Sequence, residues 1–414
     1  MLVVSAQFPF PPRSGFAVRV YQLARRLAAS HDVTLLSLAR AEDRAGVAAL
    51  RDELRVEVIE RAASSAAAKR LAQLLSAPSR RPYACRAVGA AQMQRAIDEL
   101  CAARAFDAVQ LESSVLCGYS FPAGVRLILD EHNIEYEVFA RQHDGERSPA
   151  RRSFNRLERA RFRRFEQRWW ERAAACAVTS PREAAVVRAH APATPVAVVP
   201  NGVDLEHFRP SGAEVEPHTL AFNGVLDYRP NVDAAHHLVD EIWPLVLRRS
   251  PRARLTIVGR TGGADVRGLR RPGVDVVGEV PDVRPHLERA AVVAVPIRMG
   301  GGTRLKVVEG LALGKAMVST SLGCEGIAVR DGEHLRIADG AQAFAARVVE
   351  LFEDRAAALA LGRAGRALVE REYSWELSAA RLGALYEQVI SSSRGKAPRP
   401  RGAPGAAMAD LRPE

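Results

Sequence analysis

The stretch from Val295 to Glu325 reads V-P-I-R-M-G-G-G-T-R-L-K-V-V-E-G-L-A-L-G-K-A-M-V-S-T-S-L-G-C-E, and it decides the fold. An apolar, β-branched run from Ala290 to Ile297 stops shortly before the glycines at positions 300–302. A helical pattern then begins at Thr303, with apolar residues spaced by three and four positions. This order predicts a strand, a glycine loop and the N-terminus of a helix.

Such a helix N-terminus favours an anion, because its first backbone N–H groups lack partners and carry the positive end of the helix dipole. Arg304 and Lys306 add two cations there, and Glu309 follows within the helix. Two cations at this end oppose the dipole and repel each other unless an anion lies between them. The alternative is plain turn geometry, since glycine readily adopts positive φ, and the local pattern fits both equally well.

Composition bounds the class of protein. A chain of 414 residues predicts two or three domains. No apolar stretch reaches about 18 residues, which argues against a membrane span, and the start M-L-V-V-S is too short and uncharged for a signal peptide. The five cysteines are scattered without a C-x-x-C motif, which argues against zinc and disulfides and fits the cytoplasm.

The formal net charge is +11, which suits nucleic acid, an anionic membrane surface or anionic substrates. Only four of the basic residues are lysines, and arginine and alanine are enriched throughout the chain. Genomic base composition is therefore the leading explanation for the charge. The basic residues are dispersed and no nucleic-acid-reading motif occurs, so we expect no specific nucleic-acid partner.

Strands alternate with helices along the chain, which predicts an α/β protein with parallel sheets. The pattern runs once through the first half and restarts near Leu220. Helices are expected near 43–54, 66–76 and 231–247, among others. The turn-forming segment P-N-G-V-D, which begins at Pro200, marks the join.

Several motifs resemble the family-4 (group 1) retaining glycosyltransferases, and most closely those associated with bacterial exopolysaccharide and exosortase (PEP-CTERM) gene clusters. The resemblance spans about residues 1–390. The motifs that carry it are F-P-P-R-S-G at 10–15, D-E-H-N-I-E-Y at 130–136, V-P-N-G-V-D at 199–204, F-N-G-V-L-D-Y-R-P-N at 222–231, I-V-G at 257–259, V-V-G-E-V at 276–280 and G-G-G-T-R-L-K-V-V-E-G-L-A-L-G at 300–314.

The resemblance implies the GT-B fold, in which two Rossmann-like, doubly wound parallel-sheet domains face each other across a cleft. The expected divisions are an acceptor-binding domain at 1–200, a linker at 201–217, a nucleotide-sugar-binding domain at 218–372, a helix at 373–390 that returns to the first domain, and a disordered tail at 391–414.

The implied reaction moves a sugar, with retention, from a nucleotide-diphosphate-sugar to a hydroxyl of a glycan or lipid-linked acceptor in surface polysaccharide synthesis. Preorganised cations stabilise the departing diphosphate more in the transition state than in the ground state, and Arg229, Arg304 and Lys306 are the candidates. The donor phosphate itself deprotonates the acceptor. No metal or other cofactor is expected, because the nucleotide-sugar is a substrate.

His132 is implied to line the donor-sugar side of the site; a loop histidine with a local hydrogen bond is the alternative. The expected donor-binding residues are Gly15, Gly224, Gly259, Val280, Gly300, Gly301, Gly302, Thr303, Glu309 and Glu325. Gly15 fits a plain turn nearly as well, and Glu309 is expected to bind the ribose hydroxyls.

The sequence departs from the family at one important position. The family's E-x7-E motif places its first glutamate eight residues before Glu309, where this chain has Gly301. Either the backbone N–H groups of the glycine triplet replace that carboxylate, or another residue such as Glu325 does. Val225 and Pro230 replace the Arg and Lys common in the family, and the neighbouring Arg229 is the expected substitute.

The segment 151–172 predicts an amphipathic helix with Phe154, Leu157, Arg161, Phe165 and Trp169 near one face. It could lie on an anionic membrane, at the inner face of the plasma membrane. The alternative is a helix packed on the N-terminal sheet with its charged side in water. Two other functions of the whole chain stay open besides sugar transfer. One is a nucleotide-sugar epimerase of the same fold, and the other, less favoured hypothesis is a basic nucleic-acid-binding protein.

Overall fold

The computed structural model describes residues 1–61, 72, 73, 76, 79–89, 91–144, 146, 148–261 and 267–394. The chain forms two compact units. The first contains Met1–Phe139, Ser153–Val199 and the residues from Ala379 onward, and the second contains Ala140–Arg152 and Pro200–Ser378. Each unit is built on one parallel sheet, which confirms the predicted α/β class with two Rossmann-like domains.

The sheet of the first unit has seven strands in the order β3-β2-β1-β4-β5-β6-β7. They are β1 (Leu2–Ser5), β2 (Thr34–Ala39), β3 (Arg55–Glu60), β4 (Ala108–Glu112), β5 (Arg126–Glu131), β6 (Ala175–Val178) and β7 (Val196–Val198). Every residue of β1, β2 and β4 is buried, as expected for parallel strands covered on both faces. The strand order reverses between β1 and β4, so their carboxyl ends border a crevice of the kind that binds ligands.

The sheet of the second unit has six strands in the order β10-β9-β8-β11-β12-β13. They are β8 (Glu216–Asn223), β9 (Arg254–Val258), β10 (Val274–Gly278), β11 (Ala290–Val295), β12 (Met317–Ser319) and β13 (Arg336–Ile337). Here the order reverses between β8 and β11. The glycine triplet follows β11, so it lies on the ligand-binding edge of this sheet.

The helices between these strands carry the apolar faces that cover the sheets. The first unit and its borders contain α1 (Gly15–Leu27), α2 (Arg44–Arg51), α3 (Tyr83–Val88), α4 (Ala91–Ala103), α5 (Glu135–Asp144), α6 (Pro149–Arg172) and α7 (Pro181–His190). The rest are α8 (Arg229–His236), α9 (Trp243–Arg249), α10 (Arg284–Arg289), α11 (Leu305–Ala312), α12 (Ala341–Glu353), α13 (Arg355–Glu372) and α14 (Trp375–Arg394). None of the described helices combines the length and apolar character needed to cross a membrane.

The helix expected at 231–247 is interrupted. It begins at Arg229, and a π-helical segment, His237–Ile242, separates α8 from α9. Pro244 explains the change, because it has no N–H to donate to the carbonyl four residues earlier and its ring would clash with that carbonyl.

Two expected helix boundaries differ from the structure, and two expected segments lie wholly or mostly outside the described residues. The helix expected near 43–54 ends at Arg51, and the unpredicted strand β3 follows it. The final helix continues past the expected boundary at residue 390 to Arg394, so the expected disordered tail begins with helical residues. Residues 395–414, and most of the helix expected near 66–76, lie outside the described residues.

Candidate functional site

The glycine loop joins β11 to α11. Helix α11 begins at Leu305, so the expected start at Thr303 is two residues early. Gly300 has φ 98° and Gly302 has φ 72°, values that L-residues with side chains rarely adopt. A Cβ on Gly300 would also lie 3.1 Å from Cγ of Pro230. Turn geometry therefore requires a glycine here whether or not the loop binds an anion.

Arg304 immediately precedes α11, and its guanidinium folds back over the loop. It donates hydrogen bonds to the carbonyl oxygens of Gly301, Gly302 and Met299. Burial lowers the pKa of Arg304 from its usual value. Among the described residues, the hydrogen-bond acceptors of this guanidinium are therefore backbone carbonyl oxygens.

Lys306 lies in the first turn of α11 and reaches the end of β8. Its Nζ donates to the carbonyl oxygen of Asn223 at 2.5 Å and to Oδ1 of Asn231 at 2.9 Å, and it lies 4.6 Å from the ring centroid of Phe222. Burial and, secondarily, the nearby Arg304 lower the pKa of Lys306 to about 7. A Cβ on Gly224 would lie 2.9 Å from this Nζ, so only glycine permits the close approach.

The arrangement leaves two cations without an acidic partner. Across the part of the chain that the structure describes, neither Arg304 nor Lys306 has a carboxylate oxygen within 4.0 Å. Buried charges in proteins are normally paired. The side-chain Oδ1 of Asn223 is also buried without a hydrogen-bond partner. The two cations lie at the carboxyl ends of β8 and β11 and favour an anionic ligand. The Asn223 oxygen is an acceptor, so its partner would be a donor such as a ligand hydroxyl group.

Several other expected donor-site residues lie along the same edge. Glu309 is half-buried on α11, and burial raises its pKa to about 7, with Lys306 opposing the shift. Thr303 is fixed by Asn201, whose Nδ2 donates to the threonine Oγ1 at 2.8 Å. Gly259 follows β9 and packs so tightly on Gly224 that a Cβ would lie 1.9 Å from the Gly224 carbonyl oxygen. Val280, half-buried, follows β10.

The segment Ala140–Arg152 belongs to the second unit and supplies two side chains that contact expected donor-site residues and that the sequence did not predict. Arg141 forms a bidentate ion pair with Glu325, with N–O distances of 2.7 and 2.8 Å, and its Nη1 also donates to the Gly300 carbonyl at 2.8 Å. Glu146 lies 3.0 Å from Nη1 of Arg229. No local pattern marks either residue, because both partners are distant in sequence.

His132 lies in the first unit, directly after β5. Its Nε2 lies 2.8 Å from Oε2 of Glu112, at the end of β4. The ring stacks on Phe16, with centroids 4.6 Å apart, and Phe16 follows Gly15 at the start of α1. The structure therefore brings Gly15 and His132 into one neighbourhood, and the hydrogen bond fits the local-role alternative as well.

Arg19, on α1, is buried completely beneath this neighbourhood. It forms a bidentate ion pair with Asp130 at 2.6 and 3.0 Å and donates to the carbonyl of Val199. The Arg19 guanidinium is therefore neutralised inside the fold and does not face solvent. Ligand atoms of Glu112, Asp130 and His132 lie within 4.8 Å of one another, as a metal site would need, but the Arg19 guanidinium already neutralises Asp130.

Helix α6 packs in the first unit with a face rotated from the predicted one. Its buried residues are Asn155, Glu158, Arg161, Phe162, Glu166, Trp169 and Trp170. Leu157, expected on the apolar face, is 40% exposed. The buried carboxylate of Glu166 accepts hydrogen bonds from the backbone N–H groups of Glu135 and Tyr136, at the start of α5.

Two family models match the chain in sequence order. Residues 13–207 match the model described as Glycosyltransferase Family 4, and residues 217–354 match the model described as Glycosyl transferases group 1. Among solved structures, sucrose-phosphate synthase from Thermosynechococcus elongatus superposes with a TM-score of 0.68 at 18% identity, covering 95% of this chain and 100% of that chain.

The fold is that of the GT-B glycosyltransferases. Anabaena HepE in complex with UDP shares this GT-B fold, with a TM-score of 0.67 and 16% identity over 94% of this chain and 99% of its own. The likeness at this identity concerns the fold alone. The narrower resemblance to exopolysaccharide and exosortase-associated transferases stays a prediction.

Several sequence relatives of this GT-B chain are named mannosyltransferases. The GDP-mannose-dependent monoacylated alpha-(1-6)-phosphatidylinositol monomannoside mannosyltransferase of Corynebacterium glutamicum is 29% identical over 208 residues, 44% of this chain and 54% of the relative. The phosphatidyl-myo-inositol mannosyltransferase of Mycobacterium tuberculosis is 32% identical over 209 residues, 47% of this chain and 54% of the relative. The chain thus spans about half the length of these relatives.

Proposed function

We propose that the protein transfers a sugar from a nucleotide-diphosphate-sugar to a hydroxyl group of a glycan or lipid-linked acceptor. One observation carries the proposal: two neighbouring cations, Arg304 on the glycine loop and Lys306 at the end of β8, donate to carbonyl and amide oxygens and have no carboxylate within 4.0 Å among the described residues. A diphosphate supplies the negative charge that this arrangement lacks.

In the proposed reaction, the bond between the anomeric carbon and the β-phosphate oxygen breaks, and a bond from the acceptor oxygen forms on the same face of the sugar. The acceptor proton passes to the departing phosphate. Arg304, Lys306 and Arg229 stabilise the charge that grows on the diphosphate, and Glu309 accepts hydrogen bonds from the ribose. A hydrogen bond to a charged group contributes about 1.5–3 kcal/mol, so losing one should slow the reaction roughly tenfold or more.

The nucleotide is tested directly by thermal shift with UDP, GDP, ADP and TDP, followed by their sugars. GDP and UDP come first, because the sequence relatives are named for GDP-mannose and the structural neighbours were solved with UDP or UDP-glucose. A ligand at a hundred times its Kd stabilises the folded state by about 2.7 kcal/mol. If no nucleotide diphosphate raises the melting temperature, the donor-site proposal is wrong.

A lipid-linked acceptor fits the exposed side of α6. Arg156, Arg159, Arg163, Arg164 and Arg168 are all exposed on this helix. Arginines at such density attract anionic headgroups, and salt weakens the attraction. Sedimentation with phosphatidylglycerol liposomes should retain the protein at low salt and release it at high salt; equal recovery in the supernatant with and without liposomes would reject membrane binding.

Retention and transfer are separated from epimerisation by product analysis. Proton NMR of the product should show the anomeric configuration of the donor, and the reaction should require an acceptor. Conversion of the nucleotide-sugar to an epimer without any acceptor would favour the epimerase hypothesis instead.

A further inference from the structure

Arg141 and Glu325 form a pair at the loop where a sugar-binding carboxylate is missing. Gly301 occupies the position at which the family's motif has a glutamate. We propose that Arg141 is a positioning residue, which holds Glu325 beside the glycine loop as the carboxylate that binds hydroxyl groups of the donor sugar. This inference rests on the proposed function.

The geometry links the pair to the loop backbone. Both guanidinium nitrogens Nη1 and Nη2 contact the Glu325 carboxylate, at 2.7 and 2.8 Å, and Nη1 also donates to the carbonyl oxygen of Gly300, at 2.8 Å. One guanidinium therefore joins the carboxylate to the residue next to Gly301. A bidentate pair fixes orientation as well as distance, which a single contact does not do.

The ion pair between Arg141 and Glu325 is partly exposed, so a ligand can contact it. The side chains of Arg141 and Glu325 are 26% and 25% exposed. An ionised carboxylate offers about four acceptor positions, of which the bidentate arginine takes two, and the exposed quarter of the Glu325 side chain is where a hydroxyl group would approach. Sugar hydroxyls are donors of the matching kind, and a carboxylate fixed in place loses less conformational entropy on binding them.

The charges around the loop assign different roles to the pair and to Arg304. Beside the effect of burial, Glu325 raises the pKa of Arg304 and Arg141 lowers it, so both residues are close enough to act on Arg304. Together, Arg141 and Glu325 carry no net charge. Removing the pair should leave the net charge around the diphosphate nearly unchanged. Its loss should therefore weaken binding of the sugar and spare binding of the nucleotide diphosphate.

The experiment measures Kd by isothermal titration calorimetry for UDP, UDP-glucose, GDP and GDP-mannose on the full chain. The variants are Arg141→Ala, Arg141→Lys and Glu325→Gln. The matched control is Arg336→Ala, which breaks a similarly buried pair with Glu350 in the same unit. Unchanged binding of UDP or GDP also shows that each variant is folded.

The expected result is a selective loss. Arg141→Ala and Glu325→Gln should each weaken binding of the nucleotide-sugar, relative to binding of the nucleotide, about fivefold or more, which is the scale of one hydrogen bond. The double variant Arg141→Ala/Glu325→Gln keeps the net charge, so its affinity for the nucleotide alone should change less than about twofold. Arg141→Lys should keep only part of the effect, because lysine cannot form the bidentate pair. The double variant should lose little more than either single variant, and Arg336→Ala should match wild type.

Three results would overturn the inference. Equal weakening of UDP and UDP-glucose, or of GDP and GDP-mannose, would assign Arg141 to the diphosphate. If neither the affinity for the nucleotide nor that for the nucleotide-sugar changes, the ion pair between Arg141 and Glu325 has only a structural role. Wild-type protein that binds none of the four ligands would overturn the proposed function, and this inference with it. If Arg141→Ala does not fold, Glu325→Gln alone decides, since it keeps the shape of the side chain.

Discussion

Arg19 in the first unit is buried, and Arg304 and Lys306 in the second are half-buried, but the partners of these cations differ. In the first unit, Arg19 and Asp130 are both fully buried and satisfy each other through two hydrogen bonds. In the second, Arg304 and Lys306 donate to uncharged oxygens, and no carboxylate of the described residues lies within 4.0 Å of either. An ion pair inside the fold has a structural role, whereas we expect a cation without a counter-ion to bind an anionic ligand.

The largest effect is expected when the ion pair between Arg19 and Asp130 is broken. Arg19→Met leaves Asp130 buried without a partner, which should lower the free energy of unfolding by about 3–5 kcal/mol. For a unit of this size, the melting temperature should fall by roughly 10 °C. The control is Arg298→Met, which removes a half-exposed pair with Asp233 and should cost less than about 1 kcal/mol. Urea unfolding measures both, and equal stability of the two variants would contradict the assignment.

Lys306→Met tests the functional side of the contrast. It removes the charge and keeps the length of the side chain, so binding of the nucleotide-sugar should weaken about 10- to 100-fold, while ligand-free stability holds or rises. The matched control is Lys315→Met, because Lys315 is also buried, has its pKa lowered to about 8 by burial, and donates to the carbonyl of Glu288. Equal losses of affinity in the two variants would show that burial, and not the site, matters.

The pKa of Lys306 predicts a pH dependence of binding. Its value of about 7 in the free protein lies below the ordinary 10.5, and a bound diphosphate should raise it, so binding takes up a proton above pH 7. Affinity for a nucleotide-sugar should therefore fall between pH 7 and 9, by at most about tenfold per pH unit. Calorimetry in buffers of different ionisation enthalpy measures the uptake. A pH-independent affinity in wild type, or the same slope in Lys306→Met, would contradict this origin.

The smallest expected effect concerns Arg229, which has an acidic partner. Glu146 lies 3.0 Å from its guanidinium, and hydrogen bonding to Ser148 and Arg229 lowers the pKa of that carboxyl. If Arg229 binds the diphosphate, Glu146 competes with it. Glu146→Gln should then tighten nucleotide binding about two- to fivefold at low salt, with a smaller gain at high salt. Weaker or unchanged binding would place Arg229 outside the diphosphate site.

Local patterns predicted strand β11 and the glycine loop well. The apolar run of β11, the glycine triplet and the periodic helix after it lie where the sequence placed them, with an error of two residues at the start of α11. Each of these features depends on neighbouring residues only. The conformational freedom of Gly300 and the apolar repeat are properties that a short window of sequence contains.

Patterns failed where polar groups are buried. On α6, the pattern predicted Leu157 on the apolar face and did not mark any glutamate as buried. Instead Glu158 accepts a hydrogen bond from the N–H of Tyr83, and Glu166 satisfies two free N–H groups at the start of α5. Such partners reverse the usual preference of a carboxylate for water, and they lie about thirty or more residues away in the chain.

The sequence by itself determined the alternating strands and helices, the two parallel-sheet domains and the glycine loop with its cations, because periodicity and glycine conformation are local properties. Only the tertiary structure decided which charges are neutralised. Arg19 and Asp130 are 111 residues apart, and Arg141 and Glu325 are 184 apart. An ion pair requires contact at about 3 Å, and no spacing along the chain specifies that distance until the backbone has folded.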